Sequence, residues 1–263
     1  MNLKGKRVLL TGATGGLGQV LATELAKKGA QLALVGRDEA KLNHLKSTLA
    51  IAGGGAISIT ADLSENGANI RIVEAAKQQM GGIDILINNA GVLDFTKFEQ
   101  QSDARIVQMI HTNVTAPIQL THAVIDDFIA KNQGHIVFVG SIFGSLGFPH
   151  FATYCASKFA IHGFSQSLRR ELLGSNIGIT YIAPRGIKTA MNDASTVAMW
   201  EKTGSQMDEP QTVVKRIIQA LEKEQQEVFI GQPQSLFAWL NGVCPALVSK
   251  GLKKTTLIAR QFL

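Results

Sequence analysis

Seven short apolar runs, at residues 7–10, 31–35, 56–60, 84–87, 135–139, 178–182 and 227–230, are separated by longer stretches of helical periodicity. Those stretches begin near Gly16, Asp38, Asn69, Asp103, Tyr154 and Glu209. Four or five residues make a strand, and the intervals leave room for the crossover helix that joins parallel neighbours. The order predicts an α/β chain with a single doubly wound sheet, mainly parallel and seven-stranded, with helices on both faces. Local punctuation agrees. Gly29 stops the first helix, Asp38 stands at an N-cap position, and Gly81-Gly82 closes the third helix.

A chain of 263 residues has room for one large domain, which we place at residues 1–230. Two segments break the rhythm. Residues 190–208, polar and methionine-containing, are expected to form a substrate lid after the sixth strand. Residues 231–263 form an amphipathic, basic extension: of a net charge of +6, four come from Lys250, Lys253, Lys254 and Arg260, and no acidic residue follows Glu227. The charge lacks the interleaved aromatics of a nucleic-acid module, so nucleic acid is not an expected partner.

Cys155 and Cys244 supply neither a disulfide framework nor a ligand spacing, and the six histidines show no metal pattern. No metal is expected, and a reducing, cytoplasmic setting fits best. The apolar run after Lys4, Lys6 and Arg7 is too short for a signal peptide, and no stretch reaches the roughly 18 apolar residues of a membrane span.

Chemistry enters at the first strand-to-helix junction, Thr11-Gly12-Ala13-Thr14-Gly15-Gly16-Leu17-Gly18. Gly12 permits a tight turn, Gly16 a close backbone approach to a pyrophosphate, and Gly18 tight helix packing. After the second strand, Gly36 stands where an acid would bind the 2′-hydroxyl of NAD, and Arg37 follows, placed to accept the 2′-phosphate of NADP. Otherwise Arg37 is a surface charge and Asp38 a helix cap. Tyr154 and Lys158 are one helical turn apart, so the ammonium is expected to draw the phenol below its usual pKa of about 10 and allow proton exchange near neutrality.

With these motifs the chain resembles the short-chain dehydrogenase/reductase family. It carries TGxxxGxG at 11–18, Asp62-Leu63 after the third strand, Asn88-Asn89-Ala90-Gly91 after the fourth, and then Asn113, Ser141, Tyr154 and Lys158 in the family's order. The resemblance covers residues 5–230 and implies a Rossmann domain that transfers hydride between NAD(P)(H) and a carbonyl or secondary alcohol. It implies Tyr154 as general acid or base, Ser141 as donor to the substrate oxygen, Lys158 on the nicotinamide ribose, and Asn113 holding a relay water. It further implies cofactor contacts from Thr11, Gly12, Thr14, Gly16, Leu17, Gly18, Arg37, Asp62, Leu63, Asn89, Ala90, Gly91, Pro184, Ile187 and Thr189, besides Tyr154 and Lys158. One position departs from the pattern. Arg185 replaces the usual glycine after Pro184, and either steers an anionic substrate or points to solvent.

Phe143, Phe148 and Phe151, between the serine and the tyrosine, are expected to line an apolar substrate cleft with Met191 of the lid, with at least one phenylalanine serving the core or an interface. His150 is not assigned a catalytic task. The extension, with Trp239, Leu240 and Val243 along one side of a helix and the lysines beyond, either rests on an anionic membrane, covers the substrate mouth or packs on a second subunit. The expected function is an NADP(H)-dependent reductase or dehydrogenase, with NAD possible as cofactor, acting on a small lipophilic carbonyl or alcohol such as a fatty-acyl derivative. A homo-oligomer, dimer or tetramer, is expected. The alternatives are a catalytically silent NADP-binding regulator and a membrane-peripheral scaffold.

Overall fold

The computed structural model describes residues 1–51 and 53–263. Seven strands run parallel in one sheet: β1 (Arg7–Thr11), β2 (Gln31–Gly36), β3 (Ala56–Thr60), β4 (Ile85–Asn88), β5 (Gly134–Val139), β6 (Ile177–Pro184) and β7 (Glu227–Ile230). Their spatial order is β3-β2-β1-β4-β5-β6-β7. The chain winds outward from β1 to β3, returns, and winds the other way from β4, so the sheet has its switch point between β1 and β4. Crevices of this kind open beyond the carboxyl ends of the strands.

Strand alternation builds two cores from one sequence pattern. Val8 and Leu10 of β1, Ile85 and Ile87 of β4, and Val137 and Val139 of β5 enter the core beneath α1 (Gly16–Lys27), α2 (Glu39–Ile51) and α8 (Pro210–Glu222). Leu9, Leu86, Ile136 and Phe138 turn to the other face, under α3 (Ala68–Met80), α5 (Ala116–Lys131) and α6 (Ala152–Glu171). Both faces are covered, which is why the strands read as continuous apolar runs. At the opposite end from the crevice, Asp84 receives two side-chain hydrogen bonds from Arg7, at 2.6 and 2.9 Å, and locks β1 to β4.

Three local features differ from expectation. The pattern beginning near Asp103 is not one regular helix: α4 (Asp103–Ile110) passes through a wide π turn at His111–Thr115 before α5 begins. Residues 190–208, expected as a lid, contain a helix of their own, α7 (Ala194–Thr203), capped by Asp193, which accepts the Thr196 N–H at 2.7 Å. The extension is two helices, α9 (Gln234–Val243) and α10 (Pro245–Ala259), broken where Pro245 opens the second. No helix among the described residues is long and apolar enough to cross a membrane.

Candidate active site

The glycine loop is held from below. Thr11 is 1% exposed, and its hydroxyl donates to the Ile87 carbonyl and accepts the N–H groups of Asn89 and Ala90 at 3.0 and 3.1 Å. The Asn89 amide donates back to the carbonyls of Thr11 and Gly12. Thr11 and Asn89 thus stitch the ends of β1 and β4 together. Thr11 supports the loop and does not itself line the cleft, a correction to its expected cofactor contact, because its hydroxyl is spent on backbone.

Each motif glycine has a neighbour that excludes a side chain. Gly12 has φ 63°, and a Cβ there would lie 2.8 Å from the Ala90 Cα. At Gly18 it would lie 2.1 Å from the Gly12 carbonyl oxygen, so only glycine lets α1 close on the loop. At Gly16 it would meet Thr189 at 2.9 Å, which brings the first and sixth strand ends together across the cleft.

From this loop a continuous cavity of about 1310 Å³ runs past Arg37, Asp62 and Leu63 at one end and past Asn89, Ala90 and Gly91 to Ser141, Tyr154 and Lys158. Thr14, Leu17, Pro184, Ile187 and Thr189 line it as well. Asp38 accepts the Lys41 N–H at 3.0 Å and so acts as the cap of α2. Lys41 also faces the cavity beside the exposed Arg37, a second cation that sequence spacing had not singled out. Hydrogen bonds from Ser64, helped by the charge of Arg37, hold Asp62 below the usual carboxylate range. A nucleotide-sized cleft with side-chain-free glycines at a helix N-terminus and cations at its far end fits a dinucleotide.

Asn113, 2% exposed, sits in the π turn, whose widened backbone turns its side chain inward. Its oxygen accepts the Val92 N–H at 2.9 Å, and its nitrogen donates to the Val92 carbonyl and to Ser157 at 2.8 and 3.0 Å. The side chain is therefore engaged in positioning the Gly91–Val92 segment after β4 and α6, and does not line the cleft.

Ser141 follows β5, and its hydroxyl accepts the Phe143 N–H at 3.1 Å. Tyr181, fully buried on β6, grips the same residue: its hydroxyl donates to the Ser141 carbonyl at 3.2 Å and accepts its N–H at 3.4 Å. Gly140 and Gly144 make room, since a Cβ at either would fall 2.2 Å from Tyr181. His162 stacks on the Tyr181 ring at 4.3 Å. Tyr181 and His162 were not predicted as site residues; only the glycines flanking the serine hinted at a large neighbour.

The expected lowering of Tyr154 is not what this environment produces. Burial pushes its phenol up to about 12, with the Ser141 hydroxyl opposing the shift, and burial pushes the Lys158 ammonium down to about 8. The desolvation arises in an aromatic enclosure. Phe143 and Phe148 stack at 4.9 Å, Phe151 and Trp200 at 5.8 Å, and Phe143 meets Tyr154 edge-on at 6.3 Å. Low polarity disfavours both the phenolate and the ammonium.

Phe143, Phe148, Phe151 and Met191 all line the cavity, although Phe151 is 2% exposed and also serves as core. His150 lies outside the lining. Sequence reasoning missed Leu146 and assigned no definite place to Phe237, Leu240 and Leu247 of the extension, which line the apolar end of the cavity. The extension is fastened there: Ala238 and Val248 pack on Leu146, and Asn241 donates to the Ser145 carbonyl at 3.0 Å.

Arg185 borders the cavity, but its guanidinium is taken up by protein partners. Its guanidinium grips Asp208 at 2.6 and 3.0 Å, the Gln232 carbonyl at 2.8 Å, and the side chains of Gln206 and Gln234. It ties the end of the lid to the start of the extension.

Comparison with known proteins agrees with this geometry. A model of the short chain dehydrogenases matches residues 6–199. Ketoacyl reductase HetN of Nostoc sp. is 32% identical over 231 residues, which is 88% of this chain and 80% of that protein. A short chain dehydrogenase/reductase of Burkholderia phymatum, solved with NAD, has a TM-score of 0.86 at 22% identity, covering 94% of this chain and 96% of that one, a likeness of fold. A short-chain dehydrogenase of Sphingobium yanoikuyae, solved with NADPH, has a TM-score of 0.79 at 28% identity, covering 93% and 95%.

Proposed function

The chain belongs to the short-chain dehydrogenase/reductase family of oxidoreductases, and from that premise we propose that it reduces a lipophilic carbonyl, or oxidises the corresponding alcohol, with NADP(H) preferred over NAD(H). The carrying observation is the junction of two chemistries in one cavity: Ser141, Tyr154 and Lys158 meet the aromatic enclosure on one side and the glycine loop on the other. A dinucleotide held by the glycine loop would supply or accept the hydride through its nicotinamide.

The protein's own residues handle the oxygen. Ser141 and Tyr154 donate hydrogen bonds to the carbonyl oxygen, where negative charge accumulates during reduction. Tyr154 then gives up its proton, and a phenol held high by burial keeps that proton available at neutral pH. The alkoxide that forms is more basic than a phenolate, so the transfer runs downhill. Lys158, 6% exposed and hydrogen-bonded to the Val139 carbonyl at 3.1 Å, is the nearby cation that steadies the phenolate left behind and would hold the ribose hydroxyls.

Support for NADP comes from Arg37 at the adenosine end, with Lys41 beside it in a 3.2 Å pair with Asp38, the cap of its own helix. The apolar enclosure supports a lipophilic substrate, and the likeness to HetN, a ketoacyl reductase, makes fatty-acyl ketones the first class to try. We extend the reading to a homo-oligomer, supported by the exposed Val107 on α4 and Phe159 on α6, and to a reducing, cytoplasmic setting, supported by the free thiols of Cys155 and Cys244. The test is Tyr154→Phe against a panel of ketones and aldehydes: it should bind NADPH normally and lose turnover by about a thousandfold or more. Unchanged turnover would refute the mechanism.

A further inference from the structure

We infer that the α9–α10 face around the cavity mouth docks on an anionic lipid surface, so that the lipophilic substrate passes between bilayer and active site. This rests on the apolar-substrate reading of the cavity.

Fifteen large apolar side chains are strongly exposed among the described residues, and seven of them fall in residues 231–263, about an eighth of the chain. Their arrangement is regular. On α9, Leu236, Trp239 and Val243 stand at i, i+3 and i+7 and form one outward stripe, while Ala238 faces inward. On α10, Leu247, Lys250, Lys254 and Leu257 form a second outward stripe with apolar ends and two cations between, while Val248 and Ala259 are buried.

The cavity opens within this surface. Phe237, Leu240, Leu247 and Lys250 belong both to the extension and to the cavity lining, and Met191 of the lid adds an exposed apolar side chain at the same mouth. The glycine loop and Arg37 lie toward the other end, so the two ends of the site face different media.

Charge selects the occupant. Lys250, Lys253, Lys254 and Arg260 are exposed, and no carboxylate side chain lies between Val228 and Leu263. On the neighbouring α7 segment, Asp193 and Glu201 are offset in part by Lys202, and the surface stays net positive. Apolar side chains interleaved with cations match the acyl and headgroup layers of an anionic membrane. A second copy of the chain fits less well, because an isologous contact on this face would set the three lysines against their own equivalents.

The two tryptophans make the test direct, since Trp239 is 64% exposed and Trp200 only 7%. Full-length protein is mixed with phosphatidylcholine vesicles containing 30% phosphatidylglycerol or none. The expected result is a blue shift of tryptophan emission and quenching by brominated acyl chains with the anionic vesicles, at least tenfold weaker partition onto neutral ones, and reversal by high salt. Trp239→Phe should abolish the shift while sedimentation persists. Lys253→Glu/Lys254→Glu, at positions outside the cavity lining, should weaken vesicle binding more than tenfold and leave reduction of a water-soluble ketone unchanged. It should also lose the advantage that wild type shows with a ketone dissolved in anionic vesicles.

Absence of binding, or equal binding to both vesicles, overturns the inference. So does a concentration-dependent dimer that buries Trp239 without lipid, which assigns the face to a second copy. Vesicle binding by a protein that reduces no lipophilic ketone instead refutes the reading of the cavity and leaves the docking surface standing.

Discussion

The Lys158 ammonium lies 5.7 Å from the centre of the Tyr154 ring and gives its hydrogen bond to the Val139 carbonyl rather than to the phenol. Two groups one helical turn apart are therefore both held away from their charged forms by the same dry surroundings.

This arrangement predicts that Lys158→Met inactivates the enzyme and stabilises it. A pKa moved from 10.5 to about 8 corresponds to about 3 kcal/mol lost when the lysine is carried into the fold charged. The sign follows from proton counts. Between pH 8 and 10.5 the unfolded chain binds the proton and the folded chain has released it, so wild-type stability rises with pH through that window. The melting temperature of Lys158→Met should exceed that of wild type at pH 7, and the gap should close by pH 10. A gap independent of pH would place the lysine outside the dry site.

At the adenosine end, Arg37→Ala should weaken NADPH by about 10- to 100-fold, the usual range for a charge-assisted contact to phosphate, while NADH changes less than threefold. Lys41→Ala should do the same more weakly, since Lys41 faces the same part of the cavity. Equilibrium binding of both cofactors measures it; equal losses for the two would remove the cations from cofactor choice.

The sheet and the meeting of the candidate site residues in one cavity were legible because they depend on local pattern. Val8 and Leu9 fall to opposite cores by strand period alone, and Ser141, Tyr154 and Lys158 carry a fixed spacing. Residues whose roles depend on distant partners were not legible. Tyr181 reads as one more apolar strand position until β5 and β6 pair and bring it under Ser141. The pKa of Tyr154 could not be read from its neighbour at i+4, because the dominant influence is burial, imposed by Phe143 and Phe148 of the loop after β5 and by Trp200 of α7. The extension showed its periodicity but not its seat, since its amphipathic faces match a membrane, a subunit or its own domain equally well until Leu146 is seen beneath it.

Tyr181→Phe should isolate the positioning of the serine. The phenyl ring still fills the space between Gly140 and Gly144, and only the hydroxyl that bridges the Ser141 N–H and carbonyl is lost. Two hydrogen bonds of about 1 kcal/mol each set the scale. The expected result is a fall in kcat of about tenfold with the KM for cofactor unchanged, read by steady-state kinetics. A loss confined to cofactor KM would show that Tyr181 supports the fold without aligning Ser141.

Arg185 offers the sharpest test of how lid and extension cooperate. Its side chain and that of Asp208 are 11% and 12% exposed, and the guanidinium reaches the Gln232 carbonyl just after Gly231, where a Cβ would collide with the Arg185 Cδ at 2.4 Å. Arg185→Gly leaves the largely buried Asp208 carboxylate without its partner, a loss of a few kcal/mol that both segments share. Residues 190–208 and 231–243 should then exchange their backbone amide hydrogens about ten times faster or more. The KM for a lipophilic ketone should rise about tenfold while kcat changes less than threefold, because Ser141, Tyr154 and Lys158 lie on other elements. Asp208→Asn should reproduce the effect, and Arg185→Lys should not restore it, since an ammonium cannot span a carboxylate and a carbonyl in one rigid fork. If only one of the two segments loosens, or if kcat falls with KM unchanged, Arg185 is not the joint between lid and extension.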